Sequence, residues 1–443
     1  MRIFTISVIL VMITFQSGYS AVTGPCDIYA TGQAPAVAAY STVRLLSSKY
    51  TGPLYQVRRT SDNQTKDIFA LPSGIANAAA QDSFLGNGAG TISKIYDQSG
   101  KNNHLVKAPK GCYQCPNGTA CKDDIEADAK ARPVTIAGRK AYALLTKPQV
   151  GYRNNNTTDM PEGLTGQGIY LVADGTKYGT ACCFDFGNAS KDNCYGPTGI
   201  MAALYFGTGF WGKGAGNGPW FQADLEGGVW SGGSGASGVK NQNLPSSPME
   251  YAFGILHVNV VDNQSHYAIK VGNAQSGSLT TAYDGKAPKQ LRLQGGIILG
   301  IGGDNSNSSS GTFFEGVITK GRPTSDIDDK VLKNVQAAGY GSNIVKSVYE
   351  QAPNRSSGNS MFNVICKSGA VDAVISYTLN HTSHVRVNVF NQQGKMVAAI
   401  VNNAMPAGEQ SSVWNAAGVP KGVYIAHLEI DGRSQGSGKI IIK

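Results

Sequence analysis

The chain has 443 residues, more than one ordinary core holds, with 15% charged side chains and a formal net charge of +9. Its Lys and Arg residues are scattered, with no basic patch interleaved with aromatics, which argues against nucleic acid as a partner and leaves the charge a solubilising one. The 56 glycines and 20 tyrosines follow no collagen-like period; they suit short strands joined by many turns, with aromatic and amide faces fitted to sugar rings.

In chain order, Arg2 and the apolar run Ile3–Phe15 lead into Gln16-Ser17-Gly18-Tyr19-Ser20-Ala21. This is the pattern of a secretory signal (residues 1–20), cleaved near Ser20/Ala21. A bilayer span needs about 20 apolar residues, so no membrane span is expected and the protein should be exported. Residues 21–345 read as one unit of short strands, among them Gly168–Ala173, Tyr267–Val271 and Gly296–Ile301, each bounded by Gly, Asn, Asp or Ser. Two stretches read as helical. Pro35–Ser47 places Val37, Tyr40, Val43 and Leu45/Leu46 near helical spacing, and Ser325–Ala338 starts on a Ser/Asp cap. The expected class is therefore all-β, a β-sandwich with a few short helices.

Residues 346–360, with the polar stretch Glu350–Ser360, read as a linker. Alternation resumes at Val371–Leu379, His384–Phe390, Met396–Val401, Gly422–Ile430 and Lys439–Ile442. Residues 361–443 are thus expected to form a small immunoglobulin-like sandwich with few candidate catalytic groups.

Eight cysteines in an exported chain point to disulfides. Cys182 and Cys183 are adjacent, Cys112, Cys115 and Cys121 cluster, and Cys26, Cys194 and Cys366 stand alone. A CxxC pair also suits zinc or redox chemistry, but no nearby His completes a ligand set. Neither a metal nor another cofactor is expected.

The chemistry these residues support best is hydrolysis by paired carboxylates: one acid protonates a leaving oxygen, and one carboxylate attacks or activates water. Asp224 and Glu226, at i and i+2 in an extended segment, project from one face. With Trp220, Phe221 and Trp230 beside them, that face suits a sugar cleft, although a solvated sheet face has the same pattern. Asp304 follows the apolar run Ile298–Ile301 and Gly302-Gly303, where glycine lets a ligand approach the backbone. An Asx-turn, with Asp304 capping its own loop, is the competing reading. No G-x-S-x-G elbow is set between strand and helix, and His104, His257 and His266 read as structural.

Ordered motifs then carry a resemblance. Gly24–Tyr29, Tyr96–Gly100 with Asn103–Leu105, Gly151–Asn155, Ala181-Cys-Cys-Phe-Asp185, Gly214–Trp220, Asp224-Leu-Glu226, Ile297–Asn307 and Gly311–Gly316 resemble the catalytic domain of family 54 glycoside hydrolases, the α-L-arabinofuranosidases of the B type. The resemblance implies a concanavalin-like β-sandwich and retaining, exo-acting, double-displacement removal of terminal arabinofuranosyl groups from arabinan or arabinoxylan. It implies Glu226 as nucleophile and Asp304 as general acid/base, one ionised and the other protonated when the bond breaks. Their carboxyl groups should lie about 5–5.5 Å apart. Asp224, Trp211, the backbone near Gly303 and a Cys182–Cys183 vicinal disulfide would contact the sugar.

Where the family commonly has two sugar-contacting Asn after the nucleophile, this chain has Gly227 and Gly228. Cys26 matches a half-cystine whose usual partner position holds Ala36. Cys112, Cys115, Cys121 and Cys194 replace other family cysteines, with pairing left open. Residues 361–443 resemble C-terminal sorting or FlgD-like modules of exported bacterial enzymes, through Ile375–Leu379, Val385–Phe390, Gly394–Val397, Lys421–Tyr424 and Lys439–Lys443. That implies a secreted or surface-attached bacterial enzyme whose C-terminal module meets the secretion machinery, with a passive spacer as the competing reading; a monomer is expected. A catalytically silent lectin and a β-xylosidase or galactofuranosidase are the alternatives on the same sandwich.

Overall fold

A computed structural model describes residues 23–112, 122–194, 201–209, 212–225, 227–342, 362–366, 372–379, 381–392 and 394–442. The expected signal and the linker lie outside them. No described helix is long and apolar enough to cross a membrane.

Two large antiparallel sheets form the main unit. The back sheet runs Thr280–Lys286, Gln264–Asn273, Ala252–Val261, Gln167–Tyr178, Gly311–Lys320, Arg139–Thr146, Arg132–Ile136, with Ala36–Ser41 also paired to Gly311–Lys320. The front sheet runs Val229–Trp230, Trp220–Asp224, Ala202–Gly207, Asp185–Ala189, Gly296–Leu299, Tyr152–Asn154, Val106–Lys107. The period of two sends Leu204, Phe206, Phe221 and Ala223 of the front sheet into the shared core. Two back-sheet glycines allow the close approach: a Cβ at Gly254 would stand 2.3 Å from the Phe221 ring, and one at Gly316 would stand 2.5 Å from Phe186. Burying each such phenylalanine contributes about 1.5–3 kcal/mol.

The segment Pro35–Ser47 is not helical. Ala36–Ser41 is a strand in which all six residues are buried. With both faces covered, the polar half of the period-two pattern vanishes, and the remaining apolar spacing imitates a helix. A helix does lie just upstream, at Pro25–Thr31. There Pro25 opens the first turn, and the Asp27 carboxylate accepts the Gly24 N–H at 2.7 Å. The second expected helix is present as Ser325–Ala337, capped by Thr324 and burying Ile327, Val331, Leu332 and Val335.

The C-terminal residues form a three-stranded sheet (Phe362–Cys366, Asp372–Leu379, Gly408–Asn415) and a four-stranded one (Met396–Met405, Ser383–Asn391, Gly422–Ile430, Arg433–Ile442). Val385, Val387, Val389, Leu428 and Ile440 fill a core of their own. Phe362–Cys366 and Gly408–Asn415 are strands that alternation did not single out.

Candidate active site

The front sheet has a second, polar face that is also buried. Asp185 pairs with Tyr205, and Tyr205 pairs with Gln222, so the three side chains form a row across adjacent strands. Asp224 follows two residues beyond Gln222, on the same face, opposite the small Ala203. All four are under 10% exposed although they face away from the apolar core. Loops cover them, and the loops carry the remaining candidates.

One loop carries Cys182 and Cys183, which are joined as a vicinal disulfide. Cys183 is buried and Cys182 half-buried. The pair packs on Tyr205 and Val229, and the Asp185 and Asp224 carboxylates lie within 4.8 Å of the Cys183 sulfur and of each other. The Tyr205 hydroxyl ties two loops together, donating to the Ala181 carbonyl at 3.3 Å and accepting from the Gly209 N–H at 2.8 Å. Burial pushes this phenol above its ordinary range, and the Asp185 and Asp224 charges push the same way, so it stays protonated.

A second loop follows Gly296–Leu299 and carries Asp304, the least buried carboxylate of the group. Asp304 Oδ1 accepts the Ser306 N–H at 2.9 Å, so the Asx-turn is real. It does not displace the carboxyl from the site: a Cβ on Gly302 would stand 3.3 Å from both Asp304 Oδ1 and Cys183 Sγ. Ser306 Oγ lies 3.3 Å from Cys182 Sγ, and the Ser308 N–H donates to the Cys182 carbonyl at 2.9 Å. The Asp304 turn and the disulfide are thus one packed unit.

Arg153, 1% exposed, holds that unit from behind. Its guanidinium donates to the Gly303 carbonyl at 2.7 Å, Asn305 Oδ1 at 2.9 Å, Asn155 Oδ1 at 2.7 Å and the Ser190 carbonyl. The Gly303 backbone is therefore held in place beside the site. The Cys112–Cys194 disulfide joins two flanking loops, and a Cβ on Gly111 would come 2.6 Å from the Asp304 carbonyl oxygen.

Asp224, Cys182, Cys183, Gly303 and Asp304 are thus brought together. Glu226 and Trp211 lie outside the described residues. Gly227 and Gly228 continue the turn after Leu225, with φ of +76° and +151°. Phe221 and Trp230 belong to the main core rather than to a cleft wall, because the alternation that puts Asp224 on the site face turns Phe221 and Ala223, with Trp230 opposite Ala223, inward; Trp220 shares the parity of Asp224 but is buried, its indole N–H donating to the Ala215 carbonyl at 2.9 Å. Among the other cysteines, Cys26 is a buried free thiol; Cys115, Cys121 and the Cys366 side chain lie outside the described residues. His104 accepts the Asp97 N–H, and His257 is fully buried beside Asp328, both in structural roles. Sequence reasoning weighed neither Asp185 nor Tyr205 nor Arg153 singly, although Asp185 and Arg153 fall inside quoted motifs.

Residues 25–341 match the family model for the catalytic domain of α-L-arabinofuranosidase B, and residues 371–443 match a secretion-system C-terminal sorting domain. An α-L-arabinofuranosidase from Hypocrea jecorina is 47% identical over 330 residues, covering 73% of this chain and 64% of that protein. An arabinofuranosidase/β-xylosidase from Trichoderma koningii matches with the same identity and coverage. The chain thus spans just under two thirds of the length of these curated relatives. Among solved structures, a family 54 α-L-arabinofuranosidase soaked with a cyclic sulfate inhibitor aligns with a TM-score of 0.67 at 40% identity, covering 82% of this chain and 73% of that one. An arabinofuranosidase complexed with arabinofuranosyl-α-1,2-xylobiose aligns with a TM-score of 0.67 at 38% identity, covering 88% and 74%.

Proposed function

Because the chain belongs to the α-L-arabinofuranosidase B catalytic family, we propose that it is a retaining exo-α-L-arabinofuranosidase acting as a monomer on arabinan or arabinoxylan side chains. The observation that carries this reading is the buried polar face of the front sheet. There Asp224, the Cys182–Cys183 disulfide and the Asp304 turn converge from separate segments.

In this reading Glu226 attacks the anomeric carbon while Asp304 protonates the departing glycosidic oxygen, leaving a glycosyl ester on Glu226. Asp304, now ionised, takes a proton from water, and that water cleaves the ester with net retention. Asp224 accepts a hydrogen bond from a ring hydroxyl. The disulfide offers a polarizable apolar face to the furanose, with Trp211 as a further wall and Gly303 contributing backbone. Gly227 brings no side chain where the family has a sugar-contacting Asn, and Gly228 packs closely on Ser237. The sorting domain at residues 371–443 marks the chain for secretion, and we assign it the contact with the export machinery.

A panel of nitrophenyl glycosides tests the assignment. The α-L-arabinofuranoside should be cleaved fastest, and Glu226→Gln and Asp304→Asn should each lower that rate by several orders of magnitude. Near-wild-type rates from either variant would sink it. The name of the Trichoderma koningii relative favours a second reading, β-xylosidase activity in the same pocket, which the xyloside in the panel decides. Sugar binding without turnover would instead indicate a lectin.

A further inference from the structure

Asp304 has two carboxyl oxygens, and the turn commits one of them. Its Oδ1 accepts the Ser306 N–H at 2.9 Å. Two more bonds close the turn that aims this donor: the Gly302 N–H reaches the Ser306 carbonyl at 2.9 Å, and the Asn305 N–H reaches the Gly302 carbonyl at 3.1 Å. The hydroxyl oxygen of a neutral carboxyl is a poor acceptor, so the oxygen that keeps a backbone N–H is the carbonyl one. In the acid form the proton therefore sits on Oδ2. Ser306 also reaches the disulfide through its side chain. It is 5% exposed, and its hydroxyl donates to Cys183 Sγ at 3.5 Å while lying 3.3 Å from Cys182 Sγ. Both sulfurs are in the disulfide and carry no proton, so the hydroxyl is the donor in each contact. Gly302 makes room for it, since a Cβ there would overlap Ser306 Oγ. One residue thus holds Asp304 with its backbone and the disulfide with its side chain.

We propose that Ser306 is the positioning residue for the general acid, and that Asp304 delivers its proton from Oδ2. The O–H···S contact fixes the rotation of Ser306 and hence the direction of its N–H. That direction sets where Oδ2 points relative to a sugar lying on the disulfide. The proton on Oδ2 passes to the departing glycosidic oxygen as its bond to the anomeric carbon breaks, and Oδ2 regains a proton from the attacking water in the second step. This inference rests on the reading of Asp304 as the acid/base of an arabinofuranosidase.

Values of kcat/KM for arabinofuranosides with leaving groups of graded acidity test it, alongside Raman spectra of the disulfide. A dinitrophenolate departs without a proton, whereas a phenolate leaves faster when protonated. Ser306→Ala removes one oxygen and keeps the backbone donor. Its kcat/KM should fall about three- to tenfold on the phenyl arabinofuranoside and by less than about twofold on the dinitrophenyl one. Asp304→Asn should show the same split on a larger scale. Adding Ser306→Ala to it should change neither value by more than about twofold, because Ser306 acts through Asp304. The S–S stretch should shift in Ser306→Ala and stay in place in Asp304→Asn. An equal loss on both substrates, multiplied losses in the double variant, or an S–S stretch unmoved by Ser306→Ala would each overturn the proposal. A wild type that cleaves none of these substrates is a different failure: it removes the glycosidase reading itself, and the acid role of Asp304 with it.

Discussion

Replacing Arg153 by methionine removes the part that holds the Asp304 loop while roughly preserving volume. The guanidinium serves four acceptors, two of them the buried carbonyls of Gly303 and Ser190. Hydrogen bonds from a charged donor contribute about 1.5–3 kcal/mol each, and a buried acceptor left alone costs about 1–3 kcal/mol. Against this, methionine spares the desolvation of a buried cation, so the net loss should be about 3–5 kcal/mol, as when one member of a buried polar pair is deleted. At about 2 °C per kcal/mol for a domain of this size, Tm should fall by about 6–10 °C. Activity should suffer separately, since displacing a reacting group by about 1 Å can cost about a hundredfold. The assays are calorimetry and kcat/KM on a nitrophenyl arabinofuranoside at a temperature where the variant is fully folded. Arg153→Lys keeps the charge but loses the planar fork, and should fall between methionine and wild type. A methionine variant that melts within about 2 °C of wild type, with kcat/KM within about threefold, would refute the claim that Arg153 positions the loop.

Burial holds the His257 imidazole below its ordinary range, against the opposing pull of Asp328. The unfolded chain takes up that proton near pH ~6.5, so this contribution to stability is present above that pH and lost as pH falls. The Tm of His257→Gln should therefore drop less than that of wild type between neutral and mildly acidic buffer; equal drops would contradict the assignment. A Cβ on Gly227 would meet only Lys289 Nζ, at an ordinary 3.9 Å, whereas a Cβ on Gly228 would stand 2.4 Å from that of Ser237. Thermal melts should accordingly show Gly227→Asn tolerated, since Asn accepts the left-handed region, and Gly228→Asn destabilised by at least about 1 kcal/mol. Arg44→Met breaks a buried ion pair in which the guanidinium meets Glu315 at 2.5 Å. It should cost about 3–5 kcal/mol in denaturant titrations, with kcat of the folded fraction unchanged because Glu315 lies in the back sheet, away from the front-sheet face that carries the site.

The strands with one covered face, such as Ser383–Asn391, were legible because their alternation survives in the sequence. Ala36–Ser41 was not, since a strand buried on both faces carries no alternation. The Cys112–Cys194 bridge could not be deduced, because pairing depends on two loops 82 residues apart meeting across the sheet edge. Asp224 and Asp304 could be singled out by local context, a shared strand face and a glycine-bounded turn. Asp185 could not: its nearness to Asp224 depends on the register Asp185–Tyr205–Gln222 across three strands, a non-local alignment that local spacing does not encode. Phe221 misled for a related reason, since alternation puts it in the core whenever Asp224 faces the site.

The central claim is double displacement through a glycosyl ester on Glu226, and trapping that ester tests it most directly. The wild-type protein would be incubated with a cyclic sulfate analogue of arabinofuranose, digested, and the labelled peptide mapped by mass spectrometry. One equivalent of label is expected, on Glu226, with loss of activity in proportion. Label on Asp304, Asp224 or Asp185, or full labelling of a Glu226→Gln variant, would contradict it.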